Sequence, residues 1–293
     1  MRTSEKLLSV YFLYTAVLAQ VVPVSVSMRI GIVALNAVLI AGFFALARAE
    51  PGSHVISYVR DWYPMPQMLL AYKQMGWFAQ PHMDFRLERA WVEWDRLLLH
   101  GWGLQAAVES LGPVLPSILE ISYMLVYAIA SSGMAVLYLT RRRGRVDDFQ
   151  TTFLLGILMA YALFPLFPSE PPRTVFPTDD LPSYLTVFRR FNLWLVGSYG
   201  IHTSVFPSAH VSGAFAGAFA MMRVIREPKW IGRAYLGLAV LIAISTVYGR
   251  YHYAVDAVAG LAVATGAEWC ARRLAGPPGR GVGTCEEIGQ TAC

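Results

Sequence analysis

The sequence predicts an all-α fold, a polytopic bundle of transmembrane helices. Of its 293 residues, 56% are hydrophobic and only 15% are charged, whereas soluble domains usually carry about 25% charged residues. Long runs without Asp, Glu, Lys or Arg recur at roughly the 20 residues that cross a bilayer. The composition therefore excludes both a water-soluble globule and a disordered chain, which needs the opposite bias.

The apolar runs define about seven spans. Two N-terminal spans occupy residues 1–48, and the other five lie within a membrane domain over residues 113–275. The first run has no clear cleavage site and is followed at once by the second, so we expect it to be retained. Beyond residue 275 a Gly-rich segment, 276–293, is predicted to be a flexible tail. The seven spans are residues 7–28, 30–47, 121–140, 149–169, 206–222, 234–249 and 253–267.

Residues 49–112 differ from the apolar runs because they mix charges with Trp, Tyr and Pro. Aromatic residues beside charges are typical of helices at the headgroup level. We therefore expect amphipathic interfacial helices between the second and third spans. An eighth span over residues 62–83 is the alternative, at a cost of roughly 2.5–3.5 kcal/mol for Lys73 at mid-bilayer. Seven spans place the N-terminus outside, and eight place it inside.

Basic residues determine the expected orientation of the bundle. The net charge is +5, but the basic residues fall largely in short clusters between apolar runs, so we expect no nucleic-acid partner. Clusters at residues 141–145, 223–233 and 272–273 lie on one membrane face by crossing parity, and the positive-inside rule makes that face cytoplasmic. The opposite face then receives residues 168–206 and the turn around Arg250.

Three polar segments stand out on that opposite face. The first polar segment is "FPSEPPR", residues 167–173; the second is "FPSAH", residues 206–210; the third is "YGRYHYAVD", residues 248–256. Each segment alone has an ordinary structural explanation, such as a stiff turn, a helix cap or a snorkelling arginine. Because crossing parity brings all three to one face, we expect a single functional site.

The third polar segment has a spacing that suits covalent catalysis. His252 and Asp256 are four residues apart, so on a helix they share a face. The carboxylate can accept the proton of one imidazole nitrogen and leave the other nitrogen with a free lone pair. Arg250 offers a guanidinium that can bind a phosphate.

The other two polar segments supply further candidates. Pro207-Ser208 before a long run of small residues predicts a helix N-terminus, which favours bound anions. His210 would lie in that first turn, and Arg173 offers a second guanidinium after two prolines. Glu120 is either a span-boundary charge or a partner for Arg or His in the bundle. The remaining charged and imidazole side chains are expected to be solvated: Asp179, Asp180, His54, His82 and His100.

These residues resemble signatures of the type 2 phosphatidic acid phosphatase superfamily. The second signature of that family, Pro-Ser-Gly-His, matches residues 207–210 with Ala209 in place of Gly. Its third, Ser-Arg-x5-His-x3-Asp, matches at Ser245, His252 and Asp256, but Thr246 stands where Arg belongs. The first signature, Lys-x6-Arg-Pro, is absent. "PPR" and the Arg-x-His-Tyr-x-x-Asp pattern resemble instead the inositolphosphotransferase-like branch, which includes the inositol phosphorylceramide synthases.

The resemblance implies a six-helix phosphatase-type core, phosphoryl transfer on a lipid-linked phosphate, and no cofactor or metal. It implies that His252 attacks phosphorus to form phosphohistidine while Asp256 holds the imidazole. His210 then protonates the departing oxygen and activates water or an alcohol acceptor. Ser208, Arg250 and Arg173 bind the non-bridging oxygens. No carboxylate cluster for Mg²⁺ is apparent near these residues.

Two other functions stay open on the sequence. The enzyme can be a phosphatase of a lipid-carrier (polyprenyl) diphosphate rather than a transferase. Alternatively, the protein is a non-catalytic transporter or proton relay that uses Arg173, His210, His252 and Asp256 to bind an ion.

Cysteine labelling tests the predicted orientation, in which the site faces away from the cytoplasm. With Cys270, Cys285 and Cys293 removed, Asp179→Cys should react with a membrane-impermeant maleimide in intact cells or spheroplasts. Gly144→Cys should react only after the membrane is opened, since it lies in a basic cluster that stays inside. Reversed accessibilities would mean that the site faces the cytoplasm.

Overall fold

The computed structural model describes residues 1–78, 84–201, 203 and 205–274, and these form an assembly of α-helices without strands. The predicted tail 276–293 lies outside the described residues, as do His82 and His202. Short 3₁₀ turns or a π-helical turn, Leu97–Gly101, join several helices. The α-helices are α1 (Thr3–Val21), α2 (Val26–Ala49), α3 (His54–Trp62), α4 (Pro64–Phe78), α5 (Arg86–Arg96), α6 (Leu104–Glu109), α7 (Val114–Leu125), α8 (Ile129–Leu139), α9 (Val146–Leu163), α10 (Pro172–Val175), α11 (Val187–Tyr199), α12 (Ala209–Val224), α13 (Lys229–Tyr248) and α14 (Ala254–Leu274).

Five helical segments in the described part are long and apolar enough to cross a membrane. They correspond to five of the seven predicted spans, which confirms an integral membrane architecture. The segments are Val26–Gly52, Val114–Leu139, Arg143–Leu166, Lys229–Tyr248 and Ala254–Leu274.

Two predicted spans are not among these five segments. The first run, residues 7–28, is divided between α1, which ends at Val21, and the start of α2. The run 206–222 becomes α12, which has 16 residues and is therefore about 24 Å long at 1.5 Å per residue, less than the roughly 30 Å of a hydrocarbon core. The total of seven spans stays a prediction.

Helix α12 lies at the centre of the bundle, packed against α9, α13 and α14. Its small residues allow this, because a close approach of helix backbones leaves no space for larger side chains. A Cβ on Gly156 of α9 would lie 2.5 Å from Cβ of Ala216, and one on Gly260 of α14 would lie 2.6 Å from the carbonyl oxygen of Ser208. The second polar segment is thereby held against α14.

Polar contacts fasten the N-terminal helices to the rest of the bundle. The Asp147 carboxylate of α9 accepts the backbone N–H groups of Thr3 and Ser4 at 2.9 and 3.0 Å, and so caps α1 from a different part of the chain. Between α1, α2 and α4 a buried hydrogen-bonded triad joins helices where water is scarce. Its members are Thr15, Asn36 and Gln74.

The segment predicted to lie at the interface contains α3, α4, α5 and α6. Helices α3 and α4 meet around Tyr63, and α4 has 15 residues, so the described part contains no single helix of span length over residues 62–78. Helix α5 exposes Trp94 but buries Glu88, Trp91 and Asp95. The buried face of α5 packs against α10 and α14, while its position relative to headgroups stays a prediction.

The basic clusters meet at one end of the bundle, as crossing parity predicts. A guanidinium N–H of Arg142 donates to the Glu227 carbonyl oxygen at 2.6 Å, which joins the first cluster to the second. Arg223 and Arg272 both pair with Glu268 of α14, at 3.3 and 2.8 Å. The charges that predict the cytoplasmic face therefore share one end of the molecule.

The close contact between α12 and α14 predicts the effect of two alanine substitutions. Gly260→Ala should destabilise the protein by about 1–3 kcal/mol, because the new methyl group meets the Ser208 backbone. Gly266→Ala on the same helix is the control, since its Cβ would meet only Cε of Met159, at 4.0 Å. Unfolding in detergent measures both variants, and equal stability of the two would contradict the packing described.

Candidate active site

The three polar segments meet at the end of the bundle opposite the basic clusters. The backbone N–H of Arg173, in the first segment, donates to the Arg250 carbonyl oxygen of the third at 3.3 Å. The backbone N–H of Ser208, in the second, donates to the Asp256 carbonyl oxygen at 3.0 Å. Main-chain bonds thus hold together segments that are far apart in sequence.

Asp256 orients the His252 imidazole. Its Oδ2 lies 3.3 Å from Nδ1 of His252 and accepts the backbone N–H of Tyr253 at 2.9 Å. Because Asp256 lies in the first turn of α14, the free N–H groups and the dipole of the helix stabilise its negative charge. Asp256 is completely buried. An ionised carboxylate there keeps the proton of His252 on Nδ1, which leaves Nε2 with its lone pair.

His210 contacts that second nitrogen. The distance from Nδ1 of His210 to Nε2 of His252 is 3.1 Å, and the Tyr127 hydroxyl lies 3.5 Å from Nε2 of His210. One assignment of protons satisfies the whole chain: Tyr127 donates to His210, His210 to His252, and His252 to Asp256. The two imidazoles and the carboxylate therefore form one continuous hydrogen-bonded relay.

Burial and, to a smaller extent, the nearby positive charge of Arg173 lower the pKa of His252, which lies in the turn between two spans, to about 3. Both causes act on the imidazolium, which loses hydration and is repelled by the guanidinium. His252 is consequently neutral at physiological pH. A neutral imidazole has the free lone pair that nucleophilic attack requires.

Arg173 and Ser208 lie on either side of the histidine pair. The Arg173 guanidinium donates to the Tyr251 carbonyl oxygen at 3.4 Å and lies over the Tyr251 ring, with 5.6 Å to its centroid. Ser208 caps α12, and its hydroxyl oxygen accepts the Val211 N–H at 3.3 Å. The capping bond leaves the hydroxyl proton of Ser208 free to donate.

Arg250 occupies a different environment from the exposed guanidinium that the sequence suggests. It is completely buried, and Nη1 donates to Oδ2 of Asp95 at 2.6 Å. Within the described ranges, its Nε and Nη2 have no hydrogen-bond partner. Its backbone is left-handed, with φ 59°, an uncommon conformation for a residue with a side chain. Its Nη2 lies 3.9 Å from Oδ2 of Asp180, an ion-pair distance without a hydrogen bond, so Nε and Nη2 keep hydrogen-bonding capacity for another acceptor.

An aromatic and ionic cluster lies behind the histidines, and of its members outside the three polar segments the sequence singles out Glu120 alone. The Tyr123 ring stacks on Tyr251 at 4.0 Å and packs against His210 at 5.1 Å. Glu120 accepts from Arg189 at 2.9 Å and from the Tyr251 hydroxyl at 2.7 Å, so of its two predicted roles the structure supports a partner inside the bundle. The sequence carried one signal: positions 120, 123 and 127 share a helix face by their spacing.

A comparison with family models decides the class of this protein. The model described as PAP2 superfamily matches residues 89–270, which is more than half of the chain. The chain belongs to the PAP2 superfamily. No curated protein and no solved structure matches it. Membership in the PAP2 superfamily, together with the five apolar helices, indicates a phosphatase-type lipid phosphatase that is integral to the membrane.

The match to the PAP2 superfamily begins within α5, well before Glu120, where the resemblance seen in the sequence starts.

Asp180, expected to be solvated, instead accepts hydrogen bonds from Arg96 at 3.0 Å and from His100 at 2.8 Å. Only Asp179 of that pair is exposed. The loop after α10 is thus tied to the end of α5 and to the turn that follows it.

Over residues 1–78, 84–201, 203 and 205–274 of this PAP2 superfamily member, no three His, Cys, Asp or Glu side chains are arranged to hold a metal ion. The Arg173 guanidinium supplies a positive charge beside His252.

The low pKa of His252 predicts a pH dependence of stability. Below its unfolded pKa of about 6.5, the unfolded chain binds a proton that folded His252 does not bind until near pH 3. The contribution of His252 to the free energy of unfolding is therefore fully present above pH 6.5 and is lost as the pH falls. Between pH 7.5 and 5.5, His252→Asn should lose about 1 kcal/mol less stability than the wild type.

Denaturation in detergent at the two pH values measures this difference. His54→Asn is the control, since His54 is an exposed histidine of α3, and it should keep the wild-type pH dependence. An unchanged pH dependence in His252→Asn would show that His252 is protonated in the folded protein.

Proposed function

We propose that this protein is a metal-independent lipid phosphatase or phosphotransferase that transfers a lipid-linked phosphate through a phosphohistidine at His252. The observation that carries the proposal is the buried His210–His252–Asp256 relay, with distances of 3.1 and 3.3 Å between its members. Phosphoryl transfer requires a nucleophile in line, an acid for the leaving group and neutralisation of charge. The residues around this relay meet each requirement.

In the first step, Nε2 of His252 attacks phosphorus, and the bond between phosphorus and the lipid oxygen breaks. His210, protonated beside the phosphate dianion, gives its proton to the departing oxygen. Asp256 stabilises the positive charge that develops on the His252 ring. Because the reacting atoms must approach to about 3–3.5 Å, the phosphoryl group replaces His210 as the neighbour of Nε2.

In the second step, neutral His210 removes a proton from water or from an alcohol. The resulting oxygen nucleophile attacks phosphorus and breaks the bond to Nε2. Phosphate leaves when water attacks, and the phosphate monoester of the acceptor leaves when an alcohol attacks; in both cases neutral His252 and protonated His210 are restored. Hydrolase and transferase differ only in the acceptor that enters at this step.

Several groups around the relay are suited to the non-bridging oxygens. Arg173 lies beside the histidines, and the Ser208 hydroxyl can donate. Within the described residues Nε of Arg250 has no hydrogen-bond partner, while its Nη2 lies 3.9 Å from Oδ2 of Asp180. Ser208 stands at the N-terminus of α12, where free N–H groups attract anions. Donors held in place before the reaction stabilise a charged transition state most effectively.

We further propose that the enzyme is similar to the inositolphosphotransferase-like branch and uses an alcohol acceptor. The support is the Arg-x-His-Tyr-x-x-Asp pattern and the "PPR" segment, whose Arg173 is hydrogen-bonded to the main chain of Arg250. The arrangement of basic clusters at the opposite end of the bundle favours a site on the non-cytoplasmic face.

The experiment is a phosphate-release assay on the purified full-length protein in detergent. Its substrates are diacylglycerol phosphate, polyprenyl diphosphate and a phosphoinositide, each with and without an alcohol acceptor. Faster lipid release with the alcohol identifies a transferase. Activity should persist in excess EDTA and be inhibited by vanadate, which mimics pentacoordinate phosphorus. Loss in EDTA with recovery in Mg²⁺ would contradict the metal-independent reaction.

Substitution of the nucleophile gives the most direct prediction. His252→Ala should lower kcat by about 10³-fold or more, because the covalent step has no alternative nucleophile. His54→Ala, which replaces an exposed histidine far from the relay in sequence, should retain wild-type kcat. Acid-labile ³²P should be trapped on the wild type and not on His252→Ala. Turnover by well-folded His252→Ala at the wild-type rate would refute the proposed function.

A further inference from the structure

One face of α5 contacts all three polar segments of the site. Glu88, Trp91 and Asp95 are spaced by three and four residues, so they share a face of this helix. All three are buried, whereas Glu93 and Trp94 on the other side are exposed. The helix therefore presents its polar and aromatic groups to the site rather than to solvent.

Two of the three residues contact the first and second polar segments. Oε1 of Glu88 accepts the backbone N–H of Glu170 at 3.0 Å. The Trp91 ring stacks on Phe206 at 5.3 Å and meets Tyr253 edge-on at 5.5 Å. The start of α5 is thus fitted between the loop that carries Arg173 and the loop that leads to His210.

Asp95, the third residue, binds both sides of the His252 turn. Its Oδ2 accepts a hydrogen bond at 2.6 Å from Nη1 of Arg250, which lies two residues before His252. Its Oδ1 accepts a hydrogen bond at 2.8 Å from the backbone N–H of Ala254, which lies two residues after His252. Asp95 and Arg250 are both inaccessible to solvent. A single carboxylate therefore bridges the turn on which the histidine stands.

The backbone N–H groups of residues 249–252 donate to carbonyl oxygens of residues 245–247, which anchors the turn to the end of α13. Asp95 adds the connection from the turn to α5. Residues 249–253 connect two helices, and Arg250 has a left-handed backbone that costs free energy. Buried charged groups are stable only when they are paired and hydrogen-bonded, and Arg250 and Asp95 satisfy this condition for each other. Their pairing fixes the turn at a point where an error of about 1 Å can lower a rate by about 10²-fold.

We propose that Asp95 is a positioning residue of the phosphoryl-transfer reaction, which acts by holding Arg250 and the main chain on either side of His252. The inference rests on the proposed function and assigns a role in it to a segment outside the three polar segments. Asp95 does not touch the substrate. It orients the Arg250 guanidinium through Nη1, so that Nε, and Nη2 at 3.9 Å from Oδ2 of Asp180, can turn to phosphoryl oxygens.

The test compares carboxylate-to-amide substitutions on one helix. Asp95→Asn keeps the shape and retains an oxygen that can accept the Ala254 N–H, but it no longer pairs with the Arg250 charge. It should lower kcat by about 10²-fold with KM changed by less than about threefold. Glu93→Gln is the matched control, because Glu93 is 66% exposed, and its kcat should remain within twofold of the wild type.

A double variant separates positioning from a general structural role. If Asp95 acts through Arg250, then Asp95→Asn/Arg250→Gln should have a kcat within about threefold of Arg250→Gln alone. The comparison of the double variant with Arg250→Gln can still be made if Asp95→Asn alone does not fold. The double variant buries two neutral amides, whereas Asp95→Asn alone buries an unpaired charge. Inhibition by orthovanadate should weaken in parallel with kcat in each variant.

Two results would overturn the inference. One is a folded Asp95→Asn with kcat within twofold of the wild type. The other is a double variant at least tenfold slower than Arg250→Gln, which would place the effect of Asp95 elsewhere. Failure of the proposed function is distinguished by His252→Ala: if it is inactive while Asp95→Asn is normal, only the positioning role is wrong.

Discussion

The geometry of the site depends on the burial of one carboxylate, that of Asp256. In an apolar bundle each polar group must find a partner within the protein, and Asp256 serves several groups at once. Its carboxylate accepts from Tyr253 and orients His252, while its carbonyl oxygen accepts from Ser208. The N-termini of α12 and α14 are consequently fixed against each other, with His210 of α12 in contact with His252 of the turn before α14.

The close packing of α12 makes this arrangement possible. Glycine and alanine bring the helix backbones near enough for main-chain groups of different helices to bond directly. The same packing excludes water, and so His252 is neutral and electrostatic interactions around it are strong. The cost is a short, buried central helix, whose 16 residues are fewer than a typical span requires. Stability and chemistry thus arise from the same close contacts.

Charge compensation extends from the site into regions that no catalytic signature marks. Glu120 and Arg189 neutralise each other behind Tyr251, and Asp95 compensates Arg250. At the opposite end, Asp147 caps α1 and Glu268 pairs with basic residues of α12 and α14. Except for Glu268 and Arg272, which lie four residues apart on α14, these pairs join elements far apart in sequence. A buried charge without its partner would be strongly destabilising, so these pairs constrain how the helices can assemble.

The sequence by itself determined the features that depend on local spacing and on composition. The apolar runs predicted membrane helices, the four-residue interval predicted the His252–Asp256 contact, and Pro207-Ser208 predicted the start of α12. Each of these depends on residues that are close together in the sequence, although His252 lies in the turn before α14 and not on the helix itself. Only the tertiary structure decided that His210 contacts His252, that Glu120 faces Arg189, and that Asp95 supports the turn of the nucleophile. Asp95 and Arg250 are separated by 155 residues, and no local pattern records such a contact. Their pairing results from the packing of α5 on α14, where two buried charges stabilise each other because neither can reach water.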